Sequence, residues 1–326
     1  MASSPIQPLS TIKLRGHRRR RIAQALLQLH RKFLSLPPPW PKSDPIRVIC
    51  ISDTHNKRPE LPPGDLLIHA GDLTENGSFD EVQANLTWLS SQPHQYKVLV
   101  AGNHDVLLDE AFLSKYPERR YGQTRTKDDL DWGGVIYLED SSITLKFAPH
   151  QPQTRQNGLR PKDRELTIFG SPWTPQYGVS AFQYRSDSQD HWAERFAAVG
   201  AKPDIVVTHG PPRLHLDARD FHRAGCPYLA GEVARVRPML HVFGHIHASY
   251  GREDVVLDGV QRGYEEVVTG WAGWGTVVWM AVLMVGAVVR WLVCGMGEVG
   301  VTTFVNASFV GGRENEPRNA PIVVEL

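Results

Sequence analysis

Short apolar runs punctuate the chain at residues 46–51, 66–70, 97–101, 204–208 and 240–243. They are four to six residues long, β-branched and nearly continuous, as strands covered on both faces are. Between the second and third runs lies SFDEVQANLTWLSS, residues 78–91. There Val82, Leu86 and Leu89 share one helical face, and Ser78 with Glu81 forms a capping box, so the stretch is expected to be a helix. Strands separated by helices predict an α/β layered body.

Three further patterns lie outside that body. HRRRRIAQALLQLHRKFL, residues 17–34, repeats Ile22, Leu26, Leu29 and Phe33 at helical spacing among Arg and Lys. This is the pattern of a basic amphipathic helix, of the kind that lies on an anionic membrane. A solvated tail, a helix docked on the body, a mitochondrial transit peptide and a nucleic-acid-binding arm are the other readings of it. Residues 36–41, LPPPWP, break any helix and form a stiff linker. Residues 253–268 then place Val256, Val260, Tyr264 and Val267 on one face and read as an amphipathic helix.

Residues 267–289 carry no charge over 23 positions, enough as a helix to cross a bilayer by the usual measure of about 20 apolar residues. A simple crossing conflicts with the order of the chain, because the runs before and after this segment should join one core. It is expected instead to lie along or dip into one leaflet through 267–297, with Trp271, Trp274, Trp279 and Trp291 at the interface. Packing on the body or in a homodimer is the other reading, and a true span requires that the last strands stay off the core.

Charge sharpens this division. Residues 1–43 hold nine Lys or Arg and no acid, while the remainder holds 27 basic against 35 acidic residues. A basic arm is attached to an acidic body, which argues against a polyanion such as nucleic acid on the body. Cys50, Cys226 and Cys294 are odd in number and far apart. No disulfide framework or CxxC metal pattern follows, and a reducing, intracellular setting is expected. No signal peptide is evident.

The chemistry sits where the runs end. Ser52-Asp53-Thr54-His55, Gly71-Asp72, Gly102-Asn103-His104-Asp105, His209-Gly210-Pro211-Pro212 and Gly244-His245-Ile246-His247 follow the runs in order. Sites in open α/β sheets gather at the carboxyl ends of strands, so these ends are expected to share one edge. Any one of them alone is a weak signal; the joint pattern is not. Two divalent ions about 3.5–4 Å apart can clamp a phosphoryl group and activate water. Asp53, His55, Asp72 and His247 would suit one ion, and Asp72, Asn103, His209 and His245 the other. The nitrogen and oxygen donors fit Mn²⁺, Fe²⁺, Zn²⁺ or Mg²⁺ rather than copper or an iron–sulfur cluster. His104 is left over as a catalytic residue, with Asp105 beside it, to protonate a leaving oxygen or bind transition-state charge.

DTH, GD, GNHD, THG and GHIH in this order resemble the calcineurin-like metallophosphoesterase superfamily. ISDTHN, LLIHAGDLTENG, YKVLVAGNHD, GSPWTP, VTHGPPR, HVFGHIH, VNAS and PIVVEL resemble its MPPED branch, which is related to class III cyclic-nucleotide phosphodiesterases. The resemblance covers about residues 46–251 and 301–326. It implies a four-layer αββα sandwich, interrupted by a helical apolar insert at about 252–300 and preceded by a basic extension, 1–45. It carries the same seven metal ligands onto this chain. Some members of the branch have Gly where His245 stands, which implies a lost ligand; this chain keeps it.

The implied activity is hydrolysis of a phosphodiester, possibly a cyclic nucleotide, by metal-activated hydroxide. A phosphomonoesterase and a non-catalytic scaffold are the alternatives. Arg213 is a candidate substrate contact. Trp173 and Cys226 are expected to be packing residues, His69 a buried neighbour of the site, and the polar stretch 151–164 a loop that sets specificity.

Overall fold

The computed structural model describes residues 10–34, 44–149, 163–199, 202–219, 222–294, 300–312 and 314–326. The Pro-rich stretch 36–41 and nearly all of 151–164 lie outside the described residues. The described chain forms two compact units.

The larger unit is built on two sheets. The first contains β1 (Arg47–Ile51), β2 (Leu66–Ala70), β3 (Tyr96–Val100), β4 (Val135–Tyr137) and β11 (Ile322–Glu325), ordered β11-β1-β2-β3-β4. Strands β1 to β4 run parallel, and β11 pairs antiparallel on β1. The second contains β5 (Ser141–Phe147), β6 (Arg164–Ser171), β7 (Ile205–Thr208), β8 (Leu240–Phe243), β9 (Gly251–Val255) and β10 (Thr302–Asn306), ordered β9-β10-β8-β7-β6-β5. Its central strands are parallel, and its two edge strands antiparallel.

The five apolar runs are strands to within a residue at each end, and their continuity has a direct cause. Val48 and Cys50 point into a core shared with Ile168, Val207 and Val242 of the other sheet. Ile49 and Ile51 point the other way, onto Val82, Leu86 and Leu89 of α2 (Phe79–Ser90). With both faces covered there is no polar side to alternate with. The capping box forms as the sequence predicts: Ser78 Oγ accepts from Glu81 N at 3.4 Å, and Glu81 Oε2 accepts from Ser78 N at 3.0 Å.

On the far side of the second sheet, Phe196 of α4 (His191–Ala197) packs on Phe169, and α5 (Pro227–Val236) buries Leu229 and Val233. A short α3 (Glu110–Lys115) follows β3. The layers are therefore helix, sheet, sheet, helix. The strand ends do not share the edge of one sheet, as the runs alone suggest. Three belong to the first sheet and two to the second, because two parallel sheets packed face to face each contribute a carboxyl edge.

The smaller unit contains α1 (Ser10–Leu34), α6 (Gly259–Thr269) and α7 (Trp274–Cys294). Ala23, Leu27, Val260, Val267, Val277 and Met280 form its core, flanked by Leu26, Tyr264 and Leu283. The basic arm is thus a packed helix, but only in part through the face its spacing predicts, with Leu26 against the core. Ala23, Leu27 and His30 are buried, while Ile22 and Leu29 are 43% and 58% exposed.

Residues 253–258 are not helical, contrary to their apolar spacing. Glu253 to Val255 pair with Phe304 to Thr302, and Thr303 Oγ1 donates to Asp254 Oδ1 at 2.6 Å. The helix begins only after Asp258, whose Oδ1 accepts from Val260 N at 2.9 Å and Gln261 N at 3.0 Å. The uncharged run 267–289 is also broken, at Gly270, a left-handed cap with φ 89°. The part in α7 ahead of Arg290 is roughly 24 Å long, below the ~30 Å of a hydrocarbon core. Among the described residues no helix is long and apolar enough to cross a membrane.

Asp258 ties the smaller unit together, because its Oδ2 also meets His30 Nε2 at 2.6 Å. Burial alone would raise its carboxyl, yet the bond to His30 and the two amides hold it below its ordinary value. A carboxylate depressed in the folded state stabilises above its unfolded pKa, and that support is lost as pH falls through the folded one. Asp258→Ala is expected to cost about 1–2 kcal/mol of local stability near neutral pH. Faster amide exchange in 259–269 would record it. The gap between variant and wild type should close below pH 4, and equal exchange at pH 7 would refute the prediction.

Candidate metal centre

Each sheet delivers its polar side chains through turns that follow parallel strands. Asp53 and His55 leave β1, Asp72 leaves β2, and Asn103 and His104 leave β3. His209 leaves β7, and His245 and His247 leave β8. Four of these residues hold left-handed backbone: Asp53 at φ 51°, His55 at 44°, Asp72 at 53° and His245 at 66°. Such angles disfavour side-chain-bearing residues, and their gathering here is the mark of a functional turn cluster. Close approach is part of the same design. A Cβ on Gly244 would strike the Asp53 carboxylate and Ser52 Oγ, and one on Gly102 would strike Asp72.

The expected ligands converge. Atoms of Asp53, His55 and His247 lie within 4.8 Å of one another, as do those of Asp72, His209 and His245. A third group joins His55, Asp72 and His104. Asp72 therefore stands between the sets. Its Oδ2 is 3.3 Å from His209 Nε2 and 3.8 Å from His55 Nε2, and its Oδ1 accepts from His104 N at 2.8 Å. Asn103 Oδ1 meets His209 Nε2 at 3.0 Å, and His247 Nε2 meets Asp53 Oδ1 at 3.1 Å.

The residues fit divalent metal. His55 is buried, yet neither ring nitrogen has a hydrogen bond among the described residues. Glu75 Oε2 is 3.3 Å from its Nδ1 but out of line for a hydrogen bond, so proximity there is electrostatic only. Orphaned buried nitrogens are unusual unless something else occupies them. His209 donates Nδ1–H to the Ala70 carbonyl at 3.0 Å, which aims Nε2 at the cluster in the orientation a ligand needs. None of these donors is a thiolate, as suits hard or borderline cations.

Electrostatics agree. Burial would raise the Asp53 and Asp72 carboxyls, but the charges and hydrogen bonds of His247 and His209 hold both well below their ordinary values. Burial works against the His209 cation, yet Asp72 and Asp53 raise it to about 9. His245, with burial and the His209 charge against it, falls to about 3.

His104 lies at the mouth of the cluster, its Nδ1–H donating to the Glu75 carbonyl at 2.7 Å. Burial lowers its affinity for a proton, but Asp72 and the Glu75 carbonyl more than offset that and raise it. Asp105, next in sequence, favours the His104 cation through its charge, but its hydrogen bonds go elsewhere. Its buried carboxylate accepts from Leu73 N, Thr74 N, Thr74 Oγ1 and Gly102 N, clasping two ligand-bearing turns together. Arg213 is half-buried, and its Nε lacks a hydrogen bond among the described residues. Among the described residues no hydrogen bond or ion pair ties it to the candidate ligands.

Several supporting residues escape sequence reasoning. Ser308 Oγ donates to Asp53 Oδ2 at 2.8 Å, and Asn306 Nδ2 holds the Leu216 and Ile246 carbonyls. Both belong to the VNAS block, which was the available signal. Glu75 touches His55 and His104 with no motif to mark it. Tyr177 lies 5.2 Å ring to ring from His245 and is 56% exposed. The packing residues stand as expected: His69 Nε2 meets Thr54 Oγ1 at 2.9 Å, Trp173 Nε1 donates to Asp140 at 2.9 Å, and Cys226 is buried.

Residues 46–249 match the family described as calcineurin-like phosphoesterase. The chain is 39% identical over 284 residues to a protein named probable rhamnogalacturonate lyase C from Emericella nidulans, covering 86% of this chain but 24% of that one. It is 35% identical to metallophosphoesterase domain-containing protein 1 of Homo sapiens, covering 65% of this chain and 63% of that one. The chain thus spans about a quarter of the first relative and under two thirds of the second. A solved structure, that of TT1561 from Thermus thermophilus, aligns at 11% identity and TM-score 0.39 over 65% of this chain and 85% of that one.

Proposed function

Because the chain belongs to the calcineurin-like phosphoesterase family, a family of metal-dependent phosphoester hydrolases, we propose that it hydrolyses a phosphodiester at a two-metal centre. The observation that carries this reading is the pair of ligand groups on either side of Asp72, with His245 present in the second. Asp53, His55, Asp72 and His247 would hold one ion, and Asp72, Asn103, His209 and His245 the other. Divalent ions there would draw charge from the phosphoryl oxygens and make a water molecule more acidic.

The chain's own groups do the rest. Asp53 is fixed by three hydrogen bonds from two donors, His245 N twice and Ser308 Oγ, so its geometry is set before substrate arrives. His104, raised toward its protonated form and anchored through Nδ1, presents Nε2 to a leaving oxygen and can give it a proton. Tyr177 offers a flat, exposed ring beside His245 on which a nucleobase could stack, which favours a nucleotide diester, a cyclic nucleotide included.

The test compares bis(p-nitrophenyl) phosphate with p-nitrophenyl phosphate as substrates of the full chain, with Mn²⁺, Zn²⁺, Fe²⁺ or Mg²⁺ supplied. Preferred turnover of the diester, lowered about 10²–10⁴-fold in His104→Asn with metal content unchanged, is the expected result. Faster monoester turnover would move the assignment to a phosphomonoesterase. No turnover by protein holding two ions would make it a scaffold.

A further inference from the structure

The smaller unit leaves an unusual surface. On α7, Trp274, Val278, Val282, Val285 and Val289 recur at helical spacing and are each more than half exposed, joined by Trp271 and Trp279. The opposite face of the same helix is the buried one, with Val277 and Met280 in the core. On α1, Arg18, Ile22, Ala25 and Leu29 form an exposed stripe, with Arg21 exposed beside it. The two helices pack on each other directly. Neither helix contains an Asp or a Glu. The acids of this unit that the structure describes, Asp258, Glu265 and Glu266, sit at the start of α6 and along it.

Large contiguous apolar surface on a folded protein marks an interaction face. What it meets is decided by charge and by residue type. A second copy docked symmetrically on this face would bring two clusters of arginine together. A bilayer with anionic headgroups instead attracts the arginines while accepting the valines into its acyl boundary, and tryptophan side chains settle at that interface. We propose that the outer faces of α1 and α7 together bind an anionic lipid surface, lying along one leaflet without crossing it. The apolar and electrostatic contributions are both needed, since stable surface attachment ordinarily takes two signals.

The experiment is flotation of the full chain with phosphatidylcholine vesicles and with vesicles containing a quarter phosphatidylserine. Binding to the anionic vesicles at least tenfold stronger than to the neutral ones is expected, weakening in high salt. Val278→Asp with Val285→Asp, both at exposed positions, should reduce it tenfold or more. Arg18→Gln with Arg21→Gln should weaken it and flatten the salt dependence. Sedimentation velocity runs alongside. Absence of vesicle binding, or binding unchanged in the valine variant, overturns the proposal. A wild-type dimer made monomeric by the valine substitutions, with no vesicle binding, overturns it in favour of a protein interface.

Discussion

Replacing Asp72 with Asn is expected to empty the centre of at least one ion and to lower diester turnover about a thousandfold or more. Asp72 belongs to two of the ligand groups and faces His55, His104 and His209 at once. Asn keeps the size and can still accept from His104 N, so the fold should hold. What disappears is the charge that two cations would share. Loss of several kcal/mol of electrostatic stabilisation corresponds to about 10²–10³ in rate, with lost metal occupancy added. The proton load changes as well: without the Asp72 charge, the His209 cation loses the largest influence that raises it. Metal content by elemental analysis and turnover of bis(p-nitrophenyl) phosphate are the measurements. Wild-type occupancy together with turnover within tenfold would refute the role given to Asp72.

The second large effect should come from a residue that bears no functional group. Gly244 lies against the Asp53 carboxylate, and the methyl of Gly244→Ala has no room there. Asp53 is fully buried, and its donors are fixed by the backbone of the His245 turn and by Ser308. The carboxylate must move off them or the turn must open. Overpacking of this kind costs about 1–3 kcal/mol. If the proposed two-metal centre holds, the specific expectation is loss of the ion that Asp53, His55 and His247 would hold, retention of the other, and turnover down about a hundredfold or more. A falling melting temperature with metal stoichiometry reduced from two to one would be the signature. Two ions and normal turnover would show that the turn yields without consequence.

Local patterns announced what is local. The apolar runs marked their strands because residues buried on both faces cannot alternate, and Ser78 with Glu81 marked a helix start because both partners lie within four residues. The candidate ligands were legible because each follows a strand end directly. Residues 253–255 misled because they adjoin a true helical pattern at Val260, Tyr264 and Val267, while their strand partner, 302–304, is almost fifty positions away. The pairing of α1 with α6 and α7 was hidden for the same reason: periodicity shows that a helix has a face, not which element meets it. It even pointed to Ile22 and Leu29, which remain outside, over Ala23 and Leu27, which pack. Ser308 and Asp105 act through hydrogen bonds to turns distant in sequence, set by the folded backbone, and no spacing rule encodes those.

The register at the edge of the second sheet has a further consequence. Val255 and Thr302 stand opposite each other in the β9–β10 pair, so the chain leaves the sheet for α6 and α7 and returns at the same rung of the ladder. Topologically, everything from Val256 to Val301 occupies the place of a hairpin turn. Ends that already meet make such a segment exchangeable, since lengthening a loop costs only slowly growing closure entropy. The phosphoesterase scaffold can therefore gain, lose or replace this helical module without re-registering a single strand, so the module and the candidate metal centre are free to diversify separately.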